Sequence, residues 1–362
     1  MHGINDTIKQ WETAQDGLEN LRMREAGMPA PGKDEVLVEV HTVSLNYRDT
    51  EVVMGLYTHH KSFNSANSII VPCSDMCGVV VSVGPSSSPK PPFTIGDRVL
   101  STFAQKHLTG QINAEMLASS LGGPNSGVLT THRVFPVYGL VNVPRYLTDD
   151  EACTLPIAGV TAWMSINGMR QSGGVGGKGE IVLLQGTGGV SIAGLQIAKA
   201  AGARVIITSS SDDKLQKAKS LGADDGINYR KTPNWEEEVL KLTDDHGADI
   251  IFELGGALTL RKSFDAIAFG GLINCIGYLS GKEDAAGDRI HTNVLALRRN
   301  VTLKGIINGP KDRFEEMLRF YVQHEIRPVV DRVFRFEDSK EAFQYLYSGE
   351  HFGKVVIAVK LG

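Results

Sequence analysis

The sequence predicts an α/β protein in which a doubly wound parallel sheet is joined to a second, mostly β domain. Three observations lead there. At 362 residues the chain exceeds the ~250–300 at which single cores stop growing, so two domains are expected. From about residue 179 short apolar runs alternate with helical periods, the pattern of βαβ units in a parallel sheet covered on both faces. A glycine-rich turn, GTGG at 186–189, stands between the first such strand and the first such helix.

Residues 1–150 have a different texture. DEVLVEVHTVSL, VPCSDMCGVVVSVG and GDRVLSTF read as strands separated by Pro and Gly, PSSSPKPP (85–92) reads as a surface loop, and 101–132 has little periodicity. In the α/β region the strand candidates are 180–186, 203–209, 224–229, 248–255, 271–278 and 301–307. The helix candidates between them include VSIAGLQIAKAAG, DDKLQKAKSLG, NWEEEVLKLTDDHG and LTLRKSFDAIAFGG. After 310 come a helix, DRFEEMLRFYVQHE, a strand-like VVDRVFRF, a second helix and a last strand, GKVVIAV. This tail resembles the β region more than the parallel sheet. The expected domains are therefore 1–150, 151–308 and a return segment, 309–362, that completes the first.

Composition narrows the function classes. Net charge is −4, which offers no basic surface for nucleic-acid phosphates. The N-terminus lacks the profile of a signal peptide and no run of ~18 apolar residues occurs, so no membrane partner is expected. Four scattered cysteines, Cys73, Cys77, Cys153 and Cys275, suit buried thiols in a reducing compartment and a cytoplasmic setting.

The glycine turn is the strongest functional signal. Gly186, Gly188 and Gly189, with Val190 opening the helix, let a pyrophosphate approach backbone N–H groups at a helix N-terminus. Ser191 replaces the usual third glycine and is small enough for close helix–strand packing. NAD binders place an acid at the end of the next strand to accept the ribose hydroxyls. Here Ser209 and Ser210 stand there, Lys214 follows, and Tyr229 ends the third strand, where it can stack near the adenine or donate to a phosphate. NADPH is the cofactor expected, with NADH second. Ser209 to Asp213 are equally good helix caps, and both roles are compatible.

Taken together, SLNYRD (44–49), VPCSDMCGVVVSVG, GDRV (96–99), TLPIAGVTAW (154–163), QGTGGVSIAG (185–194), TSSSDDKLQKAKSLGAD, INYR (227–230) and HFGKVVI (351–357) resemble the medium-chain dehydrogenase/reductase superfamily. The resemblance covers almost the whole chain. It implies a GroES-like β domain, a Rossmann domain, an active-site cleft between them and a homodimer formed by edge strands, here VTLKGII. The superfamily's zinc alcohol dehydrogenases carry a cysteine where Asn46 stands, a histidine and a glutamate at Ser74 and Asp75, and a second cysteine near Ile157. Asp75 alone keeps a ligand type, whereas catalytic zinc needs three protein ligands. The cysteines needed for a structural zinc are also missing. Cys73 and Cys77 therefore read as core residues and no metal is expected, while His59 and His60 read as solvated loop residues.

Without a Lewis acid, hydride acceptors that are already activated are favoured, which agrees with the superfamily's quinone oxidoreductase and enoyl reductase branch. The expected catalytic residues are Asn46 and Tyr57. The Asn46 amide is placed to bind a substrate oxygen or the nicotinamide ribose, and Tyr57, in a G-x-Y context, to donate a proton. Their alternatives are a turn bond for Asn46 and a loop hinge for Tyr57. Thr161 is expected beside the nicotinamide, and Gly255, Gly256, Gly277 and Tyr278 around it, because ligands bind at the carboxyl ends of parallel strands. Two rival functions remain, metal-free reduction of C=O and non-catalytic NADPH binding.

Overall fold

The structure, a computed structural model, describes residues 7–57, 69–283 and 291–360. It divides into two units, one of residues 1–158 and 310–362, the other of residues 159–309. Residues 151–158 thus belong to the first unit.

In chain order the first unit opens with a hairpin of β1 (Thr7–Glu12) and β2 (Arg22–Gly27), followed by the long β3 (Glu35–Leu45). Next come α1 (Tyr47–Val53), β4 (Asp75–Val83), β5 (Arg98–Ser101), α2 (Ala114–Leu117), β6 (His132–Pro136), β7 (Leu140–Asn142) and α3 (Asp149–Ala152). A π-type turn, Leu155–Gly159, runs into α4 (Val160–Asn167) of the second unit. That unit continues with β8 (Ile181–Leu184), α5 (Gly189–Ala200), β9 (Arg204–Ser209), α6 (Asp212–Ser220), β10 (Asp225–Asn228) and α7 (Trp235–Leu242). It closes with β11 (Ala248–Glu253), α8 (Leu260–Ala266), β12 (Ile267–Cys275), α9 (Thr292–Arg298) and β13 (Thr302–Gly305). The chain then returns to the first unit with α10 (Lys311–His324), β14 (Val330–Arg335), α11 (Ser339–Ser348) and β15 (Lys354–Ala358).

The second unit is a six-stranded parallel sheet in the order β10-β9-β8-β11-β12-β13. This is the doubly wound Rossmann arrangement, whose winding reverses between β8 and β11. Both of those strands are buried on both faces, as Val182, Leu183, Leu184, Ile251 and Phe252 are fully buried. One element departs from expectation. The helix expected over 258–271 ends at Ala266, and Ile267 begins β12. The register with β11 jumps between Ala248 and Ile250, and Gly270 has φ +75, so AFGG forms a bulge that the apolar run concealed.

The first unit is a sheet in the order β14-β15-β3-β4-β5-β7, with β6 also on β3; every pairing is antiparallel except β14 with β15. Trp11, Val38, Met76, Phe135, Phe343 and Val355 share its core. The α3 segment is held by ions. His41 Nδ1 lies 2.7 Å from Asp149 Oδ2, Arg98 Nε donates to Asp149 Oδ1 at 2.9 Å, and Glu39 faces both His41 and Lys360.

The His41 hydrogen bond, then Arg98, hold the Asp149 carboxyl well below the usual carboxylate range, and Asp149 in turn raises the His41 pKa. A histidine raised in the folded state adds stability that is full below its unfolded pKa near ~6.5 and is lost as pH rises through the folded value. The depressed Asp149 adds stability that is present above ~4 and fades as pH falls below it. His41→Gln should therefore lower the thermal midpoint more at pH 5.5 than at pH 8.5. Equal losses at both pH values in thermal melts would dismiss the pair as a source of stability.

Candidate active site

The glycine turn leaves the end of β8 and enters α5. Gly186 has φ +74, which disfavours any side chain, and a Cβ built there would meet nothing within 4 Å. Gly188 is the N-cap of α5 and offers no side chain to the first N–H groups of this 12-residue helix. Gly189 and Val190 form its first turn. The result is open space bounded by unpartnered amides with the positive end of a helix dipole behind them, which fits a pyrophosphate. Ser191 is buried and donates to Gln185 O at 2.7 Å, tying α5 to β8.

At the end of β9 the Ser209 side chain is buried and accepts from Ser211 N at 3.3 Å, while Tyr229 N donates to Ser209 O at 3.0 Å. The helix cap is Ser211, whose Oγ accepts from Lys214 N at 3.4 Å. Ser210, Lys214, the exposed Tyr229 and the exposed Arg230 therefore lie along one strand-end surface. The nearby Asp212 carboxylate is paired with Lys231 and accepts from Asn228 at 2.7 Å.

Across the switch point, β11 ends in Glu253, a buried carboxylate that sequence reasoning missed. It accepts from Gln185 Nε2 at 2.7 Å, Gly255 N at 3.0 Å and Gly256 N at 2.9 Å, and also from the Thr259 and Ser263 hydroxyls. Gln185 Oε1 accepts from Leu254 N and Gly255 N, so the glycine turn and the Gly255–Gly256 loop share one hydrogen-bonded hub. Gly256, at φ +92, bridges Gly281, and Gly277 N donates to Glu253 O. Lys282 sits 4.5 Å over the Tyr278 ring. Thr161 is buried in α4, where its hydroxyl accepts from Asn308 Nδ2 at 3.4 Å.

In the first unit Asn46 caps α1. Its backbone N–H donates to Asp49 Oδ2 at 2.8 Å in a capping box. Its side chain is held at both ends, because Oδ1 accepts from Lys354 Nζ at 2.6 Å and Nδ2 donates to Asp75 Oδ2 at 3.0 Å. Asp75 Oδ2 also accepts from Ile157 N at 3.0 Å and Oδ1 from Ser74 Oγ at 2.9 Å. Lys354 Nζ further donates to Leu45 O at 2.5 Å. Burial raises the Asp75 pKa and lowers that of Lys354, and the opposite charge of each resists the shift of the other.

Tyr57 packs against Arg48, whose guanidinium lies 5.2 Å from the Tyr57 ring and 4.9 Å from that of Phe103. Arg48 also donates to the carbonyls of Leu121, Gly122 and Gly123 and pairs with Asp49 at 3.0 Å, stitching α1 to that loop. Burial raises the Tyr57 pKa against the pull of Arg48, so the phenol is protonated at neutral pH. His59 and His60 lie outside the described residues.

Residues 32–145 match the family model described as alcohol dehydrogenase GroES-like domain, and residues 189–323 the one described as zinc-binding dehydrogenase. A zinc-type alcohol dehydrogenase-like protein of Schizosaccharomyces pombe is 38% identical over 348 residues, covering 95% of this chain and 96% of that one. An acryloyl-coenzyme A reductase of Sulfurisphaera tokodaii is 28% identical over 346 residues, covering 94% and 96%. Among solved structures, an NAD-dependent alcohol dehydrogenase superposes with a TM-score of 0.82 at 31% identity, covering 98% of this chain and 100% of that one. The chain belongs to the medium-chain dehydrogenase/reductase superfamily and is an oxidoreductase of that family.

The family model's description implies zinc, and the side chains present do not fit it. Asn46, Ser74, Asp75 and Ile157 include one carboxylate, and it already accepts three hydrogen bonds beside an ammonium. Burial pushes the thiols of Cys73, Cys77 and Cys153 up, away from the thiolate a metal needs. Among the described residues no three His, Cys, Asp or Glu cluster for a metal, and no helix is long and apolar enough to cross a membrane.

Proposed function

We propose that this chain is an NADPH-dependent reductase of small molecules bearing an activated C=C bond or a quinone, and that it works without zinc. The observation that carries the reading is the Asn46–Lys354–Asp75 cluster, which offers hydrogen-bond donors in place of a metal donor set. Bound NADPH supplies a hydride from C4 of its dihydronicotinamide. The N–H groups of Gly188, Gly189 and Val190 would hold the pyrophosphate, for which Gly186 leaves room, and Ser209, Ser210, Lys214, Tyr229 and Arg230 would take the 2′-phosphate. Thr161, Gly255, Gly277 and Tyr278 would line the nicotinamide.

As hydride reaches the β-carbon, the C=C electron pair moves toward the carbonyl and negative charge grows on its oxygen, where the Asn46 N–H donates. Tyr57 then gives its proton to the α-carbon. The resulting phenolate is stabilised by Arg48 and takes a proton from water. Two further proposals are a homodimer through the edge strand β13, where Leu303 is exposed, and a cytoplasmic setting.

A second reading, metal-free reduction of C=O, is favoured by the names of the 38% and 31% identical relatives. One incubation with NADPH and an α,β-unsaturated aldehyde separates the two. A saturated aldehyde is the expected product, and an unsaturated alcohol would establish the second reading. No NADPH oxidation with enals, quinones or aldehydes would leave a cofactor-binding protein.

A further inference from the structure

Lys354 is an unusual residue to find in a core. It is 6% exposed at the start of β15, more than 300 residues from the partners of its ammonium, Leu45 O and Asn46 Oδ1. Lysines are almost never buried unless paired, and this one is paired through an amide. That amide has two possible orientations, related by a flip about its last bond. In the one present, the carbonyl oxygen meets the ammonium and an N–H meets the Asp75 carboxylate. The flipped form would set N–H against ammonium and oxygen against carboxylate, two repulsions in a buried site. Asp75 is itself pinned by Ser74 and the Ile157 N–H, and Lys354 by a backbone carbonyl, so neither can follow a flip.

We propose that Lys354 is a positioning residue that locks the orientation of the Asn46 amide, so that its nitrogen presents a hydrogen-bond donor at a place its oxygen cannot take. The inference rests on the reading that Asn46 meets the substrate. One N–H of Asn46 goes to Asp75, and the second is the donor for the substrate. The position then selects acceptors, namely enal, quinone or thioester oxygens. It gives no help to an alcohol, whose O–H must lose its proton to an acceptor before hydride can leave.

The test is steady-state kinetics with NADPH and an enal on the wild type, Lys354→Met, Asn46→Ala, the double variant and Lys354→Arg, with NADPH affinity from fluorescence as the control. Each of Lys354→Met and Asn46→Ala should lose on the order of 10²-fold in kcat/KM, mostly in kcat, as when a positioned donor to a developing oxyanion is removed. NADPH affinity should stay unchanged, the double variant should be no worse than either single one, and Lys354→Arg should recover part of the loss. Losses that multiply in the double variant, or a folded Lys354→Met with wild-type kcat/KM, would overturn the proposal. If Lys354→Met does not fold, Asn46→Ala decides, since full turnover there overturns it alone. A wild type that reduces no substrate overturns the function and this inference together.

Discussion

Gly186→Ala should fold nearly as well as the wild type and lose about 10²-fold in affinity for NADPH. The backbone at Gly186 sits at φ +74, where an L-residue costs about 1–2 kcal/mol, a small part of the stability of a chain this size. The new methyl meets no protein atom within 4 Å, so whatever it displaces is ligand. A pyrophosphate pushed off the α5 N-terminus loses hydrogen bonds to a charged group worth roughly 1.5–3 kcal/mol each. Two such losses reach about 3 kcal/mol, or ~10²-fold. Gly194→Ala is the contrast, because a Cβ there would stand 2.6 Å from Phe252 Cε2, inside the packing of α5 on β11. That variant should lower the thermal midpoint and leave the affinity of the folded fraction unchanged. Titration of NADPH fluorescence on both variants checks the pair. Wild-type affinity in Gly186→Ala would remove the glycine turn from the cofactor site.

The α/β unit was readable because its signals are local. A strand buried on both faces must be apolar throughout, as in IVLL of β8, and the turn after it must be glycine where φ is positive. The end of α8 was not readable. AIAFGG is apolar in either conformation, and periodicity cannot tell a short buried strand from a helix end. Glu253 escaped for another reason, since its donors come from Gln185, Thr259, Ser263 and two glycine amides that only the folded sheet brings together. The expectation for Asn46 named a donor and could not name what would hold it. Lys354 stood in a recognised stretch, HFGKVVI, yet nothing local marks a lysine for burial when lysines normally face water. Sequence patterns thus report which backbone is placed where, and they are silent on polar pairs made across 300 residues.

That silence makes the buried pair worth breaking. Lys354→Met should destabilise the first unit by about 3–5 kcal/mol, the usual cost of removing one charge from a buried network, here Lys354 and Asp75 bridged by the Asn46 amide. The methionine fills most of the volume, so the loss is electrostatic. Asp75 loses the cation that favours its ionised form, and Asn46 Oδ1 is left without a donor. Adding Asp75→Asn to Lys354→Met should recover part of the loss. The new amide oxygen can accept from Asn46 and Ile157, its N–H₂ can face Ser74 Oγ, and the charge at position 75 is gone. What stays is the unsatisfied Asn46 oxygen, a residual cost of about 1–3 kcal/mol. In Lys354→Met alone the pKa of Asp75, already raised by burial, rises further. A carboxyl whose folded pKa is raised binds its proton more tightly in the native state, so the stability of this variant should increase as pH falls toward the unfolded value near ~4. The double variant should lack that gain. Hydrogen exchange of the paired strands β3 and β15 reads the first unit directly, and a double variant no more protected than Lys354→Met would mean that packing, and not the Asn46-bridged charges, holds Lys354 in place.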